Sequence, residues 1–144
     1  MLRFCTLIFA FLVGPAFASK DLTVSYVVST NDNSLDGVQA AVVGCLFRDD
    51  RGAERYYLLP SCDMADLMGP MPEFRGGFAI YLLSGREGPQ LKLPDLCLER
   101  MAVVHGTVRI PVHGAPRYGI TDISLVNIGG MEGRKNICFP PSGR

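Results

Sequence analysis

Four of the five cysteines, two histidines, three clustered methionines and a loop rich in arginine and tyrosine are the residues with chemistry to offer in this sequence of 144. Cys45, Cys62, Cys97 and Cys138 are widely spaced and form no C-x-x-C. That spacing fits neither a zinc site nor a thioredoxin-like redox pair. An even number of cysteines in an exported chain argues for two disulfides, in one of three possible connectivities. The preferred reading joins Cys62 to Cys97 and Cys45 to Cys138. Each such bridge closes a long loop, worth about 3–4 kcal/mol on the chain-entropy account.

His105 and His113 raise the question of a metal, but eight residues of straight strand separate them by about 26 Å. The plain reading is one surface histidine and one loop histidine. Met64, Met68 and Met71 are a local enrichment of soft thioethers, which suit Cu(I) in exported proteins. Methionine is also an adaptable packing residue, so periplasmic Cu(I) or metal handling stands as the alternative function. Asp32, Ser34 and Asp36 mimic the start of a calcium loop. The twelfth position is Val43 where a calcium-binding loop needs glutamate, so a turn is expected there. No bound metal or other cofactor is expected.

The stretch from His113 to Tyr118 sets Arg117 and Tyr118 side by side, a pair that could clamp an acidic or planar ligand. Catalysis has little support. The sequence holds no G-x-S-x-G, no H-E-x-x-H and no phosphate-cradling glycine loop. A cysteine nucleophile is disfavoured if all four thiols are paired. Carboxylates such as Asp49, Asp50 and Asp122 keep a hydrolase of unrecognised type as a further alternative.

The chain opens with Met-Leu-Arg, an apolar run from Phe4 to Val13, and Ala16-Phe17-Ala18. A basic start, a short apolar core and a small-x-small site are the order of a secretory signal peptide. The run falls short of the roughly 20 residues of a comfortable membrane span. Cleavage after Ala18 is expected, leaving Ser19–Arg144 without a membrane anchor, in the periplasm or secreted. Arg3 and Cys5 leave with the signal, so 13 basic residues face 14 acidic ones, a net charge of −1. A near-neutral chain lacks the electrostatic footprint that nucleic acid demands.

These residues need elements to hold them. Residues 19–36 begin with the alternating run Leu22–Val28 and pass into a polar turn; they read as an extra strand or an attached arm. Val38–Phe47, a turn at Asp49–Gly52, and Glu54–Leu59 read as a hairpin. Residues 60–76 carry three prolines and two glycines and read as a loop with one helical turn at Asp63–Met68. Gly77–Leu83 gives a third strand, and Pro94–Arg100 a short helix. Met101–Val112 gives a fourth strand with Ala102, Val104, Gly106, Val108 and Ile110 on one face. Gly119–Ile128 gives a fifth. The tail, 129–144, reads as irregular and tied down by Cys138.

Two segments then carry a resemblance. Val43-Gly44-Cys45-Leu46 sits in a long first strand followed by the Asp50-Arg51-Gly52 turn. Val104-His105-Gly106-Thr107-Val108 sits in the fourth, followed by the Ile120–Ile128 strand. A glycine inside a strand suits a sharp bend or bulge in a small barrel. Over residues 36–128 the pattern resembles the oligonucleotide/oligosaccharide-binding fold, or OB-fold, as found in small exported bacterial proteins. The resemblance implies a mainly β protein: a five-stranded OB-fold-like antiparallel barrel over 37–128, with one short helix and two disulfides. It also implies binding through the face of strands 2–3 and the loops joining strands 1–2 and 4–5. On this chain those are Asp49–Gly52, Tyr56, Tyr57, Tyr81 and His113–Tyr118. Arg48, Arg55, Arg109 and Arg117 could form a basic patch there, but Asp49, Asp50 and Glu54 offset the first two.

The expectation is therefore a non-catalytic binding module that contacts a protein or small ligand of the cell envelope at one barrel end. Tyr56, Tyr57, Arg109, Arg117 and Tyr118 are the expected contact residues, as aromatic surfaces and anion-pairing groups.

Overall fold

The computed structural model describes residues 19–30, 33–49, 55–68, 77–83, 91–110, 117–129 and 135–140. The expected signal peptide and the Asp50-Arg51-Gly52 turn lie outside them. The described chain is mainly β, with seven strands: β1 (Lys20–Thr23), β2 (Gln39–Asp49), β3 (Arg55–Leu59), β4 (Ile80–Leu82), β5 (Arg100–Arg109), β6 (Gly119–Gly129) and β7 (Lys135–Phe139). Two short helices accompany them, α1 (Val24–Ser29) and α2 (Met64–Met68). The expected helix at Pro94–Arg100 is a single 3-10 turn over Asp95–Cys97, with Pro94 just before it in an extended conformation.

Five strands close into a barrel. β2 pairs with β3, β3 with β4, β4 with β6, β6 with β5, and β5 returns to β2. The expected all-antiparallel pairing is corrected at one seam, where β4 and β6 run parallel. A closed ring with an odd number of strands cannot alternate direction throughout, so at least one neighbouring pair must be parallel. The tail is also more regular than expected: β7 adds to β6 in antiparallel register, with Ile137 opposite Asn127. Flanking glycines and prolines hid a strand of only five residues.

The period-2 alternation of the strands fills the barrel. Ala40, Val42 and Leu46 of β2, and Ala102, Val104 and Val108 of β5, point into one core. Burying Leu46 and Leu58 completely stabilises the fold by about 1.5–3 kcal/mol each. The amino-terminal segment is part of that core. β1 lies parallel to the first half of β2, ending at Thr23 opposite Val43. β3 takes over the same edge at Leu59 opposite Cys45. Thr23 caps α1 by accepting from the Tyr26 amide at 3.2 Å, and Val24 and Val27 of α1 are fully buried.

The two strand glycines are where the chain needs them. Gly44 sits at the handover from β1 to β3. A Cβ there would lie 2.5 Å from Val24 Cγ2 and 2.8 Å from the Leu59 carbonyl oxygen. Gly106 sits at the register shift between His105 and Thr107. A Cβ there would lie 2.5 Å from Ile120 Cγ2 and 2.6 Å from the Thr121 carbonyl oxygen.

Two disulfides are present, and the preferred pairing is overturned: Cys45 joins Cys62, and Cys97 joins Cys138. Strand register explains the first. Cys45 lies opposite Leu59, so the chain leaving β3 brings Cys62 back beside it. The second ties β7 to the 3-10 turn before β5, where Cys97 and Cys138 are both buried. Two disulfides fit an oxidising environment.

Candidate functional site

The tyrosines expected to form a contact surface are core residues. Tyr56 points into the barrel, 2% exposed, and its hydroxyl accepts from the Leu93 amide at 3.0 Å. Tyr118 is equally enclosed and donates to the Val28 carbonyl at 3.1 Å, which holds α1 against the barrel. Both pair a large apolar ring with a satisfied polar tip, which makes an aromatic side chain a good core element. Tyr57 points outward but is also buried. Its ring stacks on Phe47 with centroids 5.7 Å apart and lies tilted against Tyr81 at 5.6 Å. Leu59, Ala79 and the α2 residues Met64 and Ala65 complete this second cluster. The outward face of β3 is thus covered by the chain's own helix. The face that the resemblance nominated for binding is occupied from within.

The two arginines are exposed, and the structure separates their roles. Arg109 Nε donates to Thr121 Oγ1 at 3.3 Å, and Thr121 donates in turn to Asp122 at 3.1 Å. Arg117 lies over the ring of its neighbour Tyr118, 5.3 Å from the centroid, a cation–π arrangement that helps to cover that ring. Arg48 pairs with Asp95 at 2.8 Å, joining β2 to the 3-10 turn.

The metal-ligand candidates are not assembled among the described residues. His105 is half-buried on β5, while His113 lies outside the described residues. Met64 packs against the Tyr57 cluster, and Met71 is outside. Asp36 accepts from the Ile110 amide at 2.8 Å, so it closes a turn rather than starting a cation loop. No group of three or more His, Cys, Asp or Glu among the described residues is arranged to hold a metal ion.

A different surface is open. At the barrel end where β5 starts and β6 finishes, a cleft of about 540 Å³ is lined by Val43, Met101, Val103 and Gly129, with Cys62, Glu99 and Arg100 along its rim. Strand register builds the apolar floor. Val43 lies opposite Val103, Val103 opposite Asn127, and Asn127 opposite Ile137. These outward positions form one row, and neither Val43 nor Val103 is fully covered. Met101 and Ile137 are large apolar side chains left 45% and 53% exposed. Gly129 leaves the floor open, since a Cβ there would meet nothing within 4 Å. Glu99 adopts a left-handed conformation, φ 57°, uncommon for a residue other than glycine; its amide donates to the Leu46 carbonyl at 2.7 Å.

The sequence reading missed this cleft. The signal was present in Met101-Ala102-Val103-Val104, where the strand is apolar on both faces. A barrel strand needs only its inward face to be apolar, so the outward Met101 and Val103 were a surplus.

No family model matches the chain, and no curated protein matches it. Among solved structures, a DUF3299 family protein from Pseudomonas aeruginosa PAO1 is similar, at 20% identity, with 66% of this chain and 63% of that chain covered and a TM-score of 0.41. This chain therefore spans less than two thirds of that protein. A likeness at this level assigns neither a fold nor an activity.

Proposed function

We propose that this chain is an exported, non-catalytic binding module of OB-fold type, periplasmic or secreted, that takes a protein partner in the cleft at the β5–β6 end of its barrel. The observation that carries the reading is the partly exposed apolar lining of Val43, Met101 and Val103, in contrast to the apolar outward face of β3, which α2 covers. Clustered apolar side chains inside a charged rim are the anatomy of a protein-binding patch. The OB-fold reading draws support from the five-strand closure with its one parallel seam, the short helical turn before β5, and glycines at the bends of two long strands. The signal-like first 18 residues and two disulfides support export.

The test is a native mass spectrum of the protein purified gently from its host's cell envelope, beside a Met101→Lys variant. The reading expects a partner mass on the wild type that is absent from the variant. A bare wild-type monomer, or a partner retained equally by both, sinks it. An added copper mass would revive the methionine-rich segment instead.

A further inference from the structure

We propose that Cys45–Cys62 is an exchangeable disulfide, opened by a dithiol that attacks Cys62 from the cleft, and that its opening releases α2 from the aromatic face it covers. The inference stands whether or not a partner occupies the cleft. The two bridges are unequally placed. Cys97 and Cys138 are 1% and 2% exposed, so their bond is closed to a thiol while the chain is folded. Cys62 is half-buried and lines the cleft. Its Sγ lies 3.7 Å from the carbonyl oxygen of Glu99, another residue of that lining. Cys45 is fully buried on the outward face of β2, so a nucleophile arriving from the cleft meets the Cys62 sulfur first. Exposed disulfides are the labile ones; enclosed structural bridges resist reduction.

The exchange runs in two steps. One thiolate of the dithiol attacks Cys62 Sγ; the Cys45–Cys62 bond breaks, a mixed disulfide forms on Cys62, and Cys45 leaves as a thiolate that takes a proton from water. The second thiol of the dithiol loses its proton and attacks the mixed disulfide, displacing Cys62 as a thiolate that is protonated in turn. The bridge is reduced by two electrons and the dithiol ends as its own disulfide. Strand register shows what the bridge holds. Leu59 lies opposite Cys45 across β2 and β3, and Met101 lies opposite it across β2 and β5. One outward row thus runs from the covered cluster of Tyr57 and Leu59 to the open cleft, with the bridge between them. Only Asp63 separates Cys62 from α2. That helix has five residues, too few to be stable alone, and its Leu67 is 85% exposed. Among the described residues, the tether at Cys62 and the packing of Met64 and Ala65 on the Tyr57 cluster hold it in place. Opening the bridge leaves the packing alone.

The experiment treats the purified, oxidised protein with dithiothreitol in native buffer, quenches with acid, labels free thiols in denaturant and maps them by mass spectrometry. Cys45 and Cys62 should be labelled at least about tenfold faster than Cys97 and Cys138. With reduced glutathione in place of the dithiol, the mixed disulfide should sit on Cys62. Hydrogen exchange of the selectively opened protein reads the release: the amides of Met64–Met68 should exchange at least about tenfold faster than in the oxidised protein, while β2 and β5 keep their protection. Equal labelling of the two pairs, earlier opening of Cys97–Cys138, or no opening short of unfolding overturns the proposal. So does glutathione found on Cys45. Exchange in α2 that is unchanged by opening, or protection lost throughout β2 and β5, overturns the release of the helix.

Discussion

Replacing Gly44 with alanine tests how tightly the handover from β1 to β3 is built. The new methyl would sit 2.5 Å from Val24 Cγ2, 2.8 Å from the Leu59 carbonyl oxygen and 3.1 Å from Leu58 Cβ. Favourable contacts between carbon atoms lie near 3.5–4.0 Å, so the first contact is short by about 1 Å. None of these neighbours yields cheaply. Val24 is fully buried and β-branched, hence stiff at χ1. The Leu59 oxygen is backbone at the start of the β2–β3 ladder. Overpacking of this kind costs about 1–3 kcal/mol. The less flexible unfolded chain offsets less than about 1 kcal/mol of that. A net loss of about 2 kcal/mol is expected, a fall in Tm of roughly 5–10 °C for a chain of this size. Urea unfolding with both disulfides intact measures it, and m should stay unchanged. In a Val24→Ala background one obstruction is gone, so Gly44→Ala should cost about 1 kcal/mol less than in the wild type. Gly129→Ala, with nothing in reach, is the control and should lie within about 0.5 kcal/mol of wild type. A Gly44→Ala protein as stable as that control would refute the crowding argument.

Two further changes separate core from surface and check the covalent frame. Tyr118→Phe should cost about 1–1.5 kcal/mol, because the Val28 carbonyl loses its donor, and should leave any partner affinity unchanged. Lost binding with full stability would return Tyr118 to a contact role. Peptide mapping without reduction should yield Cys45 with Cys62 and Cys97 with Cys138. Replacing each pair by serine should cost about 3 kcal/mol for the 17-residue separation and about 4 kcal/mol for the 41-residue one. Any cross-linked peptide joining Cys62 to Cys97 would contradict the barrel register.

The barrel itself was legible in the sequence because its signals are local. Alternation from Ala102 to Ile110 named the inward face of β5, and every one of its apolar members is in the core. Gly44 and Gly106 announced bends through the absence of a side chain. The cysteine pairing was not legible. It depends on which residues meet across β2 and β3, and a sequence gives spacing along the chain, not register between strands. The amino-terminal run was half legible: its apolar residues are buried, but the strand stops at Thr23 because that hydroxyl caps a helix. The tyrosines were misplaced for a different reason. An aromatic ring with a polar tip suits an exposed platform and a satisfied core site equally well. What decides is whether a backbone partner such as the Leu93 amide waits for the hydroxyl.

The outward faces of the barrel are unequally covered. Each strand presents one face inward and one outward, and outward apolar residues must be covered or left wet. On β3 they are Tyr57 and Leu59, and α2 covers them with Met64 and Ala65. On β2, Cys45 is fully buried, where its disulfide draws the chain after β3 across it. On β5 they are Met101 and Val103, and no described element lies over them; the cleft is what remains. Exposed Met101 and Ile137 leave apolar surface in water that burial would stabilise at about 25 cal/mol per Å². The proposed binding reading rests on this contrast: α2 covers Tyr57 and Leu59, while Met101 stays 45% exposed. On the proposed reading, Met101→Lys is expected to abolish association while changing the stability of the monomer by no more than about 1 kcal/mol, because the side chain is 45% exposed and a lysine stem can keep its apolar contacts while its ammonium reaches water.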